Sequence, residues 1–180
     1  MEIIIRKPRL KDSDNDGIPK DFLQVMEYFN QGLKEKSLPF VSRKTPITKE
    51  EILKLWLPNA KDNITLVAEL KGKVISQITY FADEKSTSYE YAHSRNPGDI
   101  AMTKNPSLSK SNQIIVTELL YKKMIEKLKT KNIQGATTVP IENPTNKILS
   151  KLNLPFKEIS DQEQYMKIGL SGNVKRYFIN

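Results

Sequence analysis

The residues from Asn63 to Phe81 constrain the fold more tightly than any other part of this sequence. They read NITLVAEL, then KGK, then VISQITYF. Both flanks are rich in β-branched residues, and Lys71-Gly72-Lys73 is a short polar break between them. That pattern predicts two antiparallel strands joined by a tight turn. The chain has 180 residues, 38% apolar and 28% charged, so it is long enough to bury a core and has a globular rather than a disordered composition.

The segments around the hairpin follow from period and punctuation. "EIII", Glu2 to Ile5, predicts an opening strand. In "KDFLQVMEYFNQGL" the apolar residues Phe22, Val25, Met26, Phe29 and Leu33 fall on one helical face, with Gly32 and Pro39 helping to end it. Thr48 stands three residues before Glu51, a capping box, and Ile47 and Ile52 are spaced as a hydrophobic staple. That second helix is expected to stop near Leu57, before Pro58. "TSYEYAH" and "DIAMT" predict strand pieces, and a polar loop then leads into a long helix from about Ile114 to Lys129. "GATTVP" predicts a strand, and Asn143-Pro144 a helix start bearing Ile148, Leu149 and Leu152. "FKEI" and "QYMKIGL" predict a last pair of strands, leaving "NVKRYFIN" as a tail. The order implies a mixed α/β (α+β) domain around one sheet, with a strand–loop–helix–strand crossover in the middle.

Composition removes several kinds of chemistry. There is no cysteine, which excludes disulfides, thiolate metal sites and a cysteine nucleophile, and suits a cytoplasmic protein. No apolar run has the length of a membrane span, and "MEIIIRKPRL" reads as a strand rather than a leader. His93 is the only histidine, so multi-histidine metal sites are excluded. It has a suitable ordinary pKa for a general base, although a structural or exposed histidine is the commoner case. Net charge is +8, and Lys104 to Lys131 holds seven lysines against Glu118 and Glu126. That concentration fits a polyanionic partner, a phosphorylated cofactor or nucleic acid, and equally a merely solvated helix face.

"DSDNDG", Asp12 to Gly17, matches the opening of a calcium loop, but Leu23 stands where the bidentate glutamate belongs. The expectation is an acidic loop at the start of the first helix and no metal site. Trp56 suits a core or a substrate wall. Tyr89 and Tyr91 share a strand face, but no RNA-binding signature surrounds them.

The element order resembles the GNAT superfamily of acetyl-CoA-dependent N-acetyltransferases. "IRKPRLKD" resembles the family's opening strand, with Arg6 and Asp12 at its usual offset. "LVAELKGKVISQITYF" resembles its central hairpin, with Ser76 replacing a glycine. "NPTNKILSKLNLPF" resembles its Asn-containing helix and the ending that follows. The family's cofactor loop falls on "SLSKSNQII", where both glycines are missing. Three readings stay open for that loop: a working phosphate cradle made of backbone amides, a degenerate one, or a plain loop. Ile114 and Ile115 would block a phosphate if they stood where the glycines do.

The resemblance implies a single GNAT-like acyl-CoA N-acyltransferase domain over residues 1–170, with 171–180 as the tail. It implies acetyl-CoA as cofactor, held by Met102, Ser109, Lys110, Ser111, Asn112, Gln113 and Asn143. It makes Glu90 and His93 the candidates for taking the proton of the attacking amine. The family's usual acid, a tyrosine, falls near Leu149, which leaves Tyr121 and Tyr165 as nearest alternatives. Arg43 and Lys44 are expected to shape the acceptor pocket, for a small amine, a peptide or a protein lysine. The alternative is a non-catalytic binding protein on the same fold, with nucleic acid as its partner.

Overall fold

A computed structural model describes residues 2–38, 45–62, 64–81, 98–159 and 173–179. The hairpin is present as expected: β2 (Ile64–Leu70) and β3 (Lys73–Phe81) pair antiparallel, with a bulge at Ala68/Glu69. Lys71 and Gly72 both take positive φ, 51° and 76°, which is the backbone of a two-residue hairpin turn. β1 (Ile3–Arg6) adds antiparallel to β2, and β4 (Gly98–Lys104) antiparallel to β3. β5 (Gly135–Pro140) runs parallel to β4, and β7 (Val174–Ile179) lies between β5 and β6 (Phe156–Ile159). The sheet order is β1-β2-β3-β4-β5-β7-β6.

Helices cover both faces. α1 (Lys20–Lys34) packs against β3 and β4, and Phe22, Val25 and Phe29 form a core with Ile18, Ile52, Val67 and Val74. α4 (Lys110–Thr130) and α5 (Thr145–Lys151) cover the opposite face. There Leu120, Met124 and Leu128 meet Leu66, Ile78, Leu149 and Tyr177. Arg6 locks the first layer to the sheet. Its guanidinium bonds both oxygens of Asp21 on α1, at 2.6 and 2.9 Å, and Glu69 on β2, at 2.6 and 2.8 Å. Asp12 pairs with Lys20.

Three expectations change. The second helix does not stop at Leu57: α2 (Lys49–Glu51) passes through a π-helical turn (Ile52–Trp56) into α3 (Leu57–Asp62). Leu57 N–H reaches Ile52 O, one residue further back than in an α-helix, and this wider turn immediately precedes Pro58, whose ring would crowd a regular one. Gly32 does not end α1 but lies inside it. A side chain there would come within 2.9 Å of Leu38 and Pro106, so this glycine lets the loop before α4 rest on α1. "NVKRYFIN" is not a tail. It supplies β7, with Tyr177 and Ile179 in the core. The expected strands "TSYEYAH" and "QYMKIGL" lie outside the described residues.

The Thr48 cap is present, its Oγ1 accepting the Glu51 amide at 3.2 Å, and Ile47 and Ile52 are buried in one cluster. In the Asp12–Gly17 loop, Asp14 Oδ1 accepts the amides of Asp16 and Ile18, and Lys49 pairs with Asp14 and Asp16. These carboxylates therefore serve a turn and two lysines. Among the described residues no group of acids and histidines is arranged to hold a metal, and no helix is long and apolar enough to cross a membrane.

Candidate functional site

β4 and β5 are hydrogen-bonded partners only where they begin, at Gly98–Gly135 and Asp99–Ala136. Gly135 fits here because a side chain would meet Leu128 at 2.8 Å. Beyond that point, among the described residues, β5 pairs with β7 alone, and β4 with β3 alone. The last link across the gap is made by a side chain: Thr137 Oγ1 donates to Ile100 O at 3.2 Å. The strands then part toward their C-terminal ends. Parallel strands that separate in mid-sheet leave backbone groups free for an extended ligand, at the sheet end where α/β folds usually bind.

Tyr121 closes the root of this gap. Its hydroxyl lies 3.0 Å from Thr137 Oγ1. The single proton of Thr137 goes to Ile100 O, so Tyr121 is the donor of the pair. Burial pushes the Tyr121 phenol up to about 12, against the opposing effect of the Thr137 hydrogen bond. It is a strut tying α4 to both strands, and its proton already has an acceptor. Tyr165, the other alternative acid, lies outside the described residues. Leu149 is fully buried in the core.

The loop from β4 to α4 is tightly built. Asn105 N–H donates to Ile75 O, and Asn105 Oδ1 accepts the Ser107 amide. Ser76, standing in the family's glycine position, is fully buried and donates to Thr103 O at 2.6 Å. Ser109 caps α4, its Oγ accepting the Asn112 amide at 3.3 Å and lying 3.1 Å from Ser111 Oγ. Gln113 Nε2 donates back to Leu108 O. The helix thus starts at Lys110, four residues earlier than the apolar period suggests. The amides of Lys110 and Ser111 stand in the first turn, where no carbonyl of the helix can reach them. Ile114 and Ile115 sit one turn later and are about half exposed, at 49% and 47%, so neither occupies the first-turn position.

The sequence reasoning missed Lys104. It is the last residue of β4, and its Nζ donates to Thr117 Oγ1 of α4 at 3.2 Å, while Thr117 donates to Gln113 O at 2.7 Å. Burial pushes the Lys104 ammonium below the ordinary lysine range. No carboxylate among the described residues pairs with it. A largely buried cation is costly unless an anion arrives. Only its place at the end of a predicted strand, one residue before the loop, could have flagged it.

Of the predicted cofactor residues, the fold brings Met102, Ser109, Lys110, Ser111, Asn112 and Gln113 to the end of β4 and the start of α4. Asn143 lies beyond β5, where its Oδ1 accepts the Thr145 amide at the start of α5. The asparagine that ties this corner is Asn146. Its Nδ2 donates to Pro140 O, Ile141 O and Asn143 O, and its Oδ1 accepts from the Tyr177 hydroxyl. Glu90, His93, Arg43, Lys44, Tyr89 and Tyr91 lie outside the described residues.

Solved structures share this architecture over the whole chain. An N-acetyltransferase from Staphylococcus aureus Mu50 matches at TM-score 0.68 and 14% identity, over 100% of this chain and 99% of that one. A GNAT superfamily phosphinothricin acetyltransferase from Sinorhizobium meliloti, in complex with acetyl-CoA, matches at TM-score 0.67 and 11% identity, over 99% and 88%. The chain has the GNAT fold. A ribosomal-protein-alanine N-acetyltransferase from Brucella melitensis shares the GNAT-like architecture at TM-score 0.63 and 14% identity, over 97% of this chain and 98% of that one. No protein-family model matches the sequence, and no curated protein matches it.

Proposed function

We propose that this GNAT-fold chain is an N-acetyltransferase that uses acetyl-CoA. The observation that carries the proposal is the parting of β4 and β5 directly before the N-terminus of α4. The S. meliloti structure with the same fold holds acetyl-CoA. The residues fit such a group in two ways: α4 offers first-turn amides, and Lys104 offers a buried cation with no carboxylate partner among the described residues. They fit less well in a third, because Ser109 already occupies the Asn112 amide.

Acetyl-CoA, when bound, supplies the acetyl group as a thioester. In the proposed arrangement the chain's own residues orient that group. Met102 and the freed edge of β4 receive its extended arm, and Lys104, Lys110 and Ser111 receive its phosphates. Glu90 and His93 are proposed as acceptors of the amine proton. The acceptor is an amine, and its class is open: similar folds include proteins named for a small molecule and for a ribosomal protein.

Calorimetric titration with acetyl-CoA, followed by thiol release over a panel of amines, tests the proposal. One-site binding with amine-dependent thiol release is expected. Binding without release for any amine would favour the non-catalytic protein on the same fold. No binding by folded protein at about 1 mM ligand, where even a weak site would show, would remove the cofactor reading.

A further inference from the structure

A cavity of about 530 Å³ lies at the opposite end of the sheet from the parted strands. Lys7 enters it from the exit of β1, Lys61 from α3, and Lys127 and Lys131 from the far end of α4. Ile64 and Ile133 contribute apolar lining. Lys127 stands seventeen residues after Lys110 on one helix, roughly 25 Å along its axis. The cavity is therefore separate from the site at the start of α4.

Two other lysines of α4 have glutamate partners. Lys122 pairs with Glu118, and Lys123 with Glu126. Lys7, Lys61, Lys127 and Lys131 pair with no carboxylate among the described residues, and no described carboxylate lines the cavity. Cations at the end of a helix complement its dipole, which accounts for Lys127 and Lys131. It does not account for Lys7 and Lys61, which come from other elements to the same concavity. Four lysines line one cavity, and an anion bound there would be attracted by all of them.

We propose that this cavity binds a small ligand carrying two or more phosphate groups. Its volume falls in the range of small-molecule sites, and apolar walls below a cationic rim suit a phosphorylated organic molecule. A nucleic acid would call for a basic stripe along the helix, but the glutamate pairs at Lys122 and Lys123 interrupt one.

The probe is inorganic tripolyphosphate, titrated calorimetrically into the full chain at about 50 mM salt and again at about 200 mM. One-site binding that weakens with salt is expected. Lys127→Ala/Lys131→Ala, and independently Lys61→Glu, should each weaken it at least about tenfold. Lys122→Ala/Lys123→Ala should leave it within about twofold, with circular dichroism confirming that all variants fold. Loss with Lys104→Met but not Lys61→Glu would place the phosphate at the start of α4 and overturn the proposal. So would a single-stranded oligonucleotide that binds more tightly than tripolyphosphate and loses affinity in Lys61→Glu, because the ligand would then be nucleic acid. No binding by wild type at about 5 mM would also overturn it.

Discussion

Lys104 shows how a single residue can set function against stability. Its ammonium is largely buried and, among the described residues, bonded only to a hydroxyl, with burial holding its pKa below the ordinary 10.5. The cost of keeping it charged is therefore present at neutral pH and fades as pH rises toward 10.5. Lys104→Met should raise stability without ligand at pH 7, on the order of 1 kcal/mol, and lower acetyl-CoA affinity with a shallower salt dependence. Denaturant titration and calorimetry check the two halves, and a variant that is less stable and binds equally well would make Lys104 a structural pin. Arg6 is the converse case, because it is fully partnered. Removing it leaves Asp21 the Arg9 amide and Glu69 the more exposed Arg9 guanidinium, while their side chains are only 5% and 10% exposed. Arg6→Ala should cost up to about 3–5 kcal/mol at neutral pH, the upper end being that of a charge left wholly unpaired. Burial alone would raise the Asp21 pKa, but the hydrogen bonds from Arg6 and the Arg9 amide hold it below 3.8. The stabilisation is thus complete above 3.8 and is lost as pH falls through the lower folded value. The penalty of Arg6→Ala should shrink in acid, and a penalty independent of pH would contradict the assignment.

At the scale of elements, helix starts decide most. Thr48→Ala should destabilise the fold by about 0.5–2 kcal/mol and leave cofactor affinity unchanged. Ser109→Ala removes the equivalent cap on α4 and should cost a similar amount, about 0.5–2 kcal/mol. Here the cap competes with a ligand for the Asn112 amide, so acetyl-CoA affinity should hold steady or rise. A large fall in affinity would instead make the Ser109 hydroxyl part of the binding surface. The absence of glycine in this loop has a local answer: serine and asparagine side chains close the turn through Ser109 and Asn105, and Ile114 and Ile115 lie a turn beyond the opening.

The sheet is held by residues from both ends of the chain. β7 fills the position between β5 and β6, and Tyr177 ties it to α5 through Asn146. Ending the chain after Asn173 would strip β5 of its only backbone partner beyond Ala136 among the described residues. It would also empty the core sites of Tyr177 and Ile179. Such a truncation should lose cooperative thermal unfolding, as followed by circular dichroism. A sharp transition near that of the full chain would show that the last strand is dispensable.

Local chemistry was enough to read much of this. The β-branched runs around Lys71-Gly72 specify a hairpin because side-chain period and turn geometry are properties of neighbours in sequence. The Thr48 cap and the apolar face of α1 were legible for the same reason. Pro58 was misjudged because its disruption is absorbed by a widened turn before it. Gly32 was misjudged because its role is contact with Pro106, distant in sequence. β7 was missed because a short strand is recognised by its partners, and those are β5 and β6. At the candidate site the sequence determined the order strand, loop, helix, strand. Only the tertiary structure decided that β4 and β5 separate after two paired residues and that Lys104 is left between strand and helix without a described carboxylate partner. Both depend on how far apart packing holds two strands and on how little water remains around one ammonium, and neither quantity is carried by any local run of residues.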